Sequence, residues 1–206
     1  MNDTDPAAAH QPEIRGILLA AGQSQRFGHS NKLLQPLSSG LPMITQAVRT
    51  MLTALDSVVV VVPPEHGALA KTLKDEAVQI TINPVADDGM GSSLAWGVTA
   101  TIEAHGWIIG LADMPWIQPA TISRVMTALR HGHPLVAPRY RSLRGHPVGF
   151  GREYRDTLLK LRGDVGARTV LKQHKAQLHY LEVNDPGILM DVDRPADLKP
   201  PKMFNA

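Results

Sequence analysis

Apolar residues in this chain collect in short unbroken runs, and the stretches between those runs carry helical spacing. Ile17 to Ala21 and the five valines Val58 to Val62 are the clearest runs. Neither leaves room for outward-facing polar positions, so each predicts a strand buried on both faces, as in a parallel sheet. Further strands are predicted over 78–82, 107–111, 135–138, 148–150 and 178–183, with the first strand covering 14–20. Ile44, Val48, Met51, Leu52 and Leu55 fall on one face of a helix that opens at Pro42. Ile122, Val125, Met126 and Leu129 do the same for a helix over 119–130. Shorter helices are predicted over 65–74, from Ser92 as a cap to about 104, over 152–161 and over 167–175. Residues 139–145 read as a basic loop.

Strand and helix therefore alternate almost throughout. This predicts an α/β fold: a single-domain, doubly wound, mostly parallel sheet with helices on both faces. Residues 1–12 are expected to be a disordered leader, 13–200 the domain and 201–206 a tail. In such sheets ligands sit outside the carboxyl ends of the strands.

Composition narrows the picture. At 206 residues the chain is long enough for a full core. Cysteine is absent, which excludes disulfide staples and thiol chemistry and suits a reducing compartment. The first residues lack the basic start and apolar centre of a signal peptide. The longest aliphatic run, Val58 to Val62, is too short to span a bilayer. The expected setting is the cytoplasm, with no membrane partner. The formal charge is only +2 and the cations are scattered, so there is no footprint for nucleic acid. That modest excess suits a polyanionic small substrate.

The chemistry concentrates after the first strand, in Leu18-Leu19-Ala20-Ala21-Gly22-Gln23-Ser24-Gln25-Arg26-Phe27-Gly28 and, slightly later, Lys32. A strand that opens into a glycine-rich turn leaves backbone N–H groups facing an anion. Small residues let the anion approach, and Arg26 and Lys32 can neutralise a polyphosphate. The Walker pattern and the Gly-x-Gly-x-x-Gly fingerprint are both absent. Asp113 follows the buried run Ile108 to Ala112, and a carboxylate there needs a partner or a cation. Mg2+ takes one or two carboxylates plus phosphate oxygens and water, which makes Asp113 the first choice of ligand. Asp191 and Asp193 are candidates for the second carboxylate. They alternate along an extended segment, so only one of them can face the ion. Ser92 and Ser93, after Gly89-Met90-Gly91, are candidates either for helix capping or for hydrogen bonds to a base or ribose.

The first motif resembles the Leu-Ala-Ala/Gly-Gly-x-Ser-x-Arg-x-Gly-x-x-Lys signature of nucleotidyltransferases. Leu111-Ala112-Asp113-Met114-Pro115 is similar to the metal motif of the molybdopterin nucleotidyltransferases. Three further segments resemble the cytidylyltransferase branch of that family: Gly89 to Leu94, Arg144-Gly145-His146-Pro147-Val148, and Gly163 to Arg168. Asp191-Val192-Asp193-Arg194-Pro195-Ala196-Asp197-Leu198 resembles the family's Asp-x-Asp-Thr-Pro-Glu-Asp ending, with Arg194 in place of Thr. Together the matches run from about Gly16 to Leu198.

The resemblance implies a Rossmann-like nucleotidyltransferase fold and transfer of CMP from CTP to the terminal phosphate of molybdopterin, with Mg2+ as cofactor. It implies Arg26, Lys32 and Asp113 as catalytic residues, and Asp113 with Asp193 as metal ligands. The nucleotide falls to Leu19, Ala20, Ala21, Gly22, Ser24, Arg26, Lys32, Gly91, Ser92 and Ser93. The pterin side falls to Arg144, His146, Asp164 and Arg168. A recipient molybdoenzyme is the implied partner. Ala20-Ala21 points to CTP, where Ala-Gly would point to GTP; physically, a methyl at 21 narrows the floor beneath the base. The alternatives are a guanylyl version, a sugar- or polyol-phosphate nucleotidyltransferase, and a cofactor-binding chaperone without catalysis.

Overall fold

The structure is a computed structural model that describes residues 13–22 and 31–198. Its centre is an eight-stranded sheet. The strands are β1 (Ile14–Leu19), β2 (Val58–Val62), β3 (Gln79–Ile82), β4 (Gly106–Leu111), β5 (Leu135–Tyr140), β6 (Leu143–Arg144), β7 (Val148–Gly151) and β8 (Leu178–Glu182). The order is β3-β2-β1-β4-β7-β5-β6, and β8 adds to β5. Pairs β3–β2, β2–β1, β1–β4 and β5–β8 are parallel, whereas β7 runs antiparallel to both β4 and β5. The mostly parallel, doubly wound sheet is the expected one, with β6 and β7 as its reversed strands.

The helices are α1 (Met43–Leu52), α2 (Gly67–Thr72), α3 (Met90–Ala100), α4 (Pro119–Arg130), α5 (Arg155–Leu159) and α6 (Ala167–Gln173). Alternate strand residues face opposite sides, and the core divides accordingly. Leu18, Val58, Val60 and Ile108 pack with Ile44 and Val48 of α1 and Ile122 and Val125 of α4. Ile17, Val59, Val61, Trp107 and Phe150 pack with Leu94 and Val98 of α3, Leu158 of α5 and Val170 of α6. All five valines of β2 are buried, as a parallel central strand requires.

Three local expectations need correction. The basic loop 139–145 is a hairpin, because β5 continues to Tyr140 and turns through Arg141 and Ser142, both at positive φ, into β6. Helix α3 starts at Met90, before Ser92, with Gly89 as its cap residue. Ser92 sits inside the first turn and donates back to the Gly89 carbonyl at 2.8 Å. The helix expected over 152–161 is a 3-10 turn, Arg152–Tyr154, followed by the short α5. Among the described residues no helix is long and apolar enough to cross a membrane.

Candidate active site

Leu19 and Leu111, the last residues of β1 and β4, lie opposite each other. From β1 the sheet continues one way through β2 and β3, and from β4 the other way through β7 and β5. A crevice opens beyond the strand ends at such a reversal. Here it is a cavity of about 490 Å3, a size that accepts a small-molecule ligand. Its floor is Leu19, Ala20, Ala21 and Gly22, its near wall Lys32 and Asp113, and its far wall Asp87, Gly89, Met90, Ser93 and Asp164. Ala20 and Ala21 are held down by burial, and the Ala20 amide extends the ladder to Val61.

Lys32 opens a short 3-10 turn, Lys32–Leu34, capped by the Asn31 side chain and pinned by buried Leu33. Its ammonium donates to Asp113 Oδ2 at 2.7 Å, to the Val192 carbonyl at 3.2 Å and to Asp193 Oδ1 at 3.5 Å. Two chain segments bring those oxygens together. Asp113 comes from the end of β4, while Val192 and Asp193 come from the tail. The Val192 amide donates to the Asp113 carbonyl at 2.8 Å and the Val192 side chain is fully buried, so the tail cannot drift. Asp193 turns toward Lys32, and Asp191 is exposed. The alternation of the two carboxylates is therefore resolved in favour of Asp193 as the neighbour of Asp113.

This donor set is all oxygen: two carboxylates and a carbonyl around one cationic point. That chemistry fits a hard divalent ion completed by phosphate oxygens. Among the described residues no three His, Cys, Asp or Glu side chains form a closed metal cage. Mg2+ held by one or two carboxylates needs none.

The far wall is organised by Asn83, a residue the sequence reading passed over. It is fully buried just after β3. Its amide donates to Ser92 Oγ and Ser93 Oγ, each at 3.1 Å, and its carbonyl oxygen receives the Val85 amide at 3.0 Å. Gly89 and Gly91 lie flat against residues 162–165. The Gly91 amide donates to the Gly163 carbonyl at 2.8 Å, and a Cβ on Gly91 would sit 2.6 Å from the Val165 carbonyl oxygen. Gly89 has φ +102°, and a Cβ there would meet Asp164 Oδ1 at 2.6 Å. The two motifs, remote in sequence, thus form one wall. Asp164 lies on that wall beside Gly89 and Ser93, in the cavity that the first motif floors.

His146 and Pro147 occupy a break in the sheet. Gly145 still pairs with Pro138, donating to its carbonyl at 3.0 Å, whereas β7 resumes with its register against β5 slipped by two residues. His146 is only partly exposed, and among the described residues its sealed Nδ1 has no hydrogen-bond partner. Burial pushes its pKa down to about 4, the Arg144 cation adds to that, and a backbone hydrogen bond with Ile109 and the Asp113 charge oppose it. The ring is therefore neutral at ordinary pH. Arg144 is itself pulled below the usual guanidinium range, first by burial and, against the pull of Tyr180, by the neighbouring Arg168 cation. Arg144, His146 and Arg168 form one electrostatic neighbourhood that reaches Asp113.

Asp185 also escaped the sequence reading. It is 1% exposed and accepts from the Gln118 amide at 2.9 Å, Thr121 Oγ1 at 2.7 Å and the Gly187 amide at 3.0 Å. It pins the tail to the start of α4 before the chain runs back to Val192. Nothing in Asn184-Asp185-Pro186-Gly187 beyond a turn signal announces this. Of the residues expected to bind nucleotide, Leu19, Ala20, Ala21, Gly22, Lys32 and Ser93 line the cavity. Gly91 and Ser92 stand behind that wall. Ser24 and Arg26 lie outside the described residues.

Comparison with known proteins agrees with this architecture. A protein of Paenarthrobacter nicotinovorans named nicotine blue oxidoreductase is 30% identical over 94% of this chain and 96% of its own. A probable molybdenum cofactor guanylyltransferase of Natronomonas pharaonis is 25% identical over 62% of each chain. The crystal structure of Rv0371c from Mycobacterium tuberculosis H37Rv in complex with manganese superposes with a TM-score of 0.76, at 24% identity, over 90% of this chain and 95% of that one. At that identity it speaks for the fold. The model of the MobA-like NTP transferase domain matches residues 16–178, most of the sheet and all six helices, and the chain belongs to that nucleotidyltransferase family.

Proposed function

We propose that this enzyme transfers CMP from CTP to the terminal phosphate of molybdopterin, releasing pyrophosphate and giving molybdopterin cytosine dinucleotide. The observation that carries the reading is the convergence of Lys32, Asp113 and Asp193 beside a cavity floored by Ala20, Ala21 and Gly22. An oxygen of the acceptor phosphate forms a bond to the α-phosphorus of CTP, the bond from that phosphorus to the bridging oxygen breaks, and the electron pair leaves with pyrophosphate. No residue needs to become covalently attached. The chain's work is positioning and charge neutralisation. Lys32, with Arg26, holds the triphosphate and offsets the charge that develops on the leaving group. Asp113 and Asp193 would hold Mg2+, which supplies Lewis-acid polarisation of phosphate oxygens when bound. Arg144 and Arg168 are two clustered cations suited to the phosphate of the pterin substrate. His146, neutral and largely buried, adds no charge of its own to that side of the site.

The choice of base rests on Ala21, whose methyl narrows the cavity floor and suits a pyrimidine. The Natronomonas relative is named for guanylyl transfer, so GTP is the competing nucleotide. The test is pyrophosphate release with Mg2+ and molybdopterin, CTP and GTP side by side, for wild type and Asp113→Ala. CTP-dependent release that disappears in the variant supports the proposal. A strong GTP preference transfers it to guanylyl chemistry. Nucleotide and cofactor binding without release from wild type favours a chaperone that carries the cofactor, and release that requires a sugar or polyol phosphate replaces the acceptor.

A further inference from the structure

We infer that Lys32 stands in for the divalent ion when nucleotide is absent, so that metal and triphosphate enter the site as a coupled pair. The inference rests on the nucleotidyltransferase reading above and concerns what this lysine does before substrate arrives.

Among the described residues, the Lys32 ammonium donates to oxygens of two carboxylates and a carbonyl. Two carboxylates brought this close repel each other unless a cation lies between them. The Lys32 side chain is 13% exposed, so its charge is committed to that duty and not to solvent. An ammonium offers one positive charge and three donors. Asp113, Val192 and Asp193 each accept from it. A divalent ion seated between Asp113 Oδ2 and Asp193 Oδ1 would take the ammonium's place.

Lysine suits a movable role. Its charge is a compact point on a flexible four-carbon stem, free of the fixed fork of arginine. Lys32 also lines the cavity, so a short swing of the stem reaches an anion bound there. In the absence of that anion, eviction by a metal would strand the ammonium in a half-buried wall. A bound triphosphate removes this obstacle by giving Lys32 new acceptors. Nucleotide therefore raises metal affinity, and by linkage the metal raises nucleotide affinity by the same factor.

The test is Mn2+ binding, read as the loss of the free-ion EPR signal, to wild type and Lys32→Met. Each is measured alone and with the non-hydrolysable α,β-methylene analogue of CTP, and Mn2+ held by the analogue in a protein-free titration is subtracted. Wild type is expected to bind Mn2+ weakly alone and about 10- to 100-fold more tightly with the analogue, within the range usual for coupled sites. Lys32→Met is expected to bind bare Mn2+ at least about tenfold more tightly than wild type, and to lose most of the coupling. Equal affinities of the two proteins for bare Mn2+ would overturn the inference and leave the proposed reaction standing. Absence of Mn2+ binding to wild type even with the analogue would overturn the proposed reaction as well.

Wild-type protein carrying 13C-methylated lysines supplies a second measurement that does not depend on the variant folding. The Lys32 signal should move when Mg2+ and the analogue are added together. An unmoved signal at saturation rejects the exchange.

Discussion

The backbone carbonyl of Asp113 accepts the amide of Val192 at 2.8 Å. This bond stitches the tail to the end of β4 and leaves the Asp113 side chain to meet Lys32. The two halves of the same residue thus do separate jobs. One is structural and belongs to the main chain, while the other is chemical and belongs to the carboxylate.

Asp113→Asn separates them. The side chain keeps its size and the backbone bond to Val192 survives, but the negative charge is gone. Pyrophosphate release is expected to fall by about a hundredfold or more, the scale of losing one charge-stabilising group. The thermal midpoint is expected to move by only a few degrees, because the ion pair is part-exposed and contributes on the order of 1 kcal/mol. Full turnover in this variant would remove the carboxylate from the mechanism.

Asp185→Ala should do the reverse. The residue lies away from the cavity lining, yet three donors converge on its buried carboxylate. Removing it leaves the Gln118 and Gly187 amides and the Thr121 hydroxyl without that acceptor. A cost of roughly 3 kcal/mol follows from stranding buried polar groups, or a loss of roughly 10 °C in the midpoint for a chain of this size. Calorimetry reads this directly. A midpoint unchanged from wild type would show that the tail is anchored by other contacts.

These two residues mark what the sequence reveals and what it conceals. Asp113 was legible because a carboxylate at the end of an apolar run is chemically expensive and therefore conspicuous. The sheet was legible for a related reason, since five buried valines have few alternatives. Asn83 and Asp185 were not legible. Their work is done on partners brought to them by the fold, the hydroxyls of Ser92 and Ser93 in one case and the start of α4 in the other. The hairpin at 139–144 was hidden because its turn uses Arg141 and Ser142 at positive φ, where glycine or asparagine would have signalled it. The union of the Gly89–Gly91 loop with 162–165 was equally invisible, because each segment reads as an ordinary glycine turn.

That union carries its own prediction. In Gly91→Ala the new methyl would lie 2.6 Å from the Val165 carbonyl oxygen and 2.9 Å from those of Arg162 and Gly163. All three neighbours are backbone, so the 162–165 segment has to move and the Gly91 bond to Gly163 is lost. Overpacking of this kind costs about 1–3 kcal/mol. Because Asp164 and Ser93 line the cavity on either side of the contact, nucleotide affinity should fall by about tenfold. Isothermal titration with CTP measures it, and an affinity equal to wild type would mean that the wall is not part of the nucleotide site.

His146 makes the final prediction, a dependence of stability on pH. Its pKa is about 4 in the folded protein against 6.5 in an unexposed-to-structure reference chain, and burial is the main cause. Between those values the unfolded chain binds a proton that the folded protein refuses. Stability therefore rises with pH through this window. The contribution is complete above pH 6.5, is lost progressively as pH falls toward 4, and amounts to at most roughly 3 kcal/mol. Solvent at the exposed edge of the ring reduces it. Urea unfolding of wild type at pH 7.5, 6 and 5 should show falling stability, and His146→Gln should flatten the part of that slope that belongs to this ring. The same slope in both proteins would mean that His146 titrates normally, and that its sealed Nδ1 opens to water in solution.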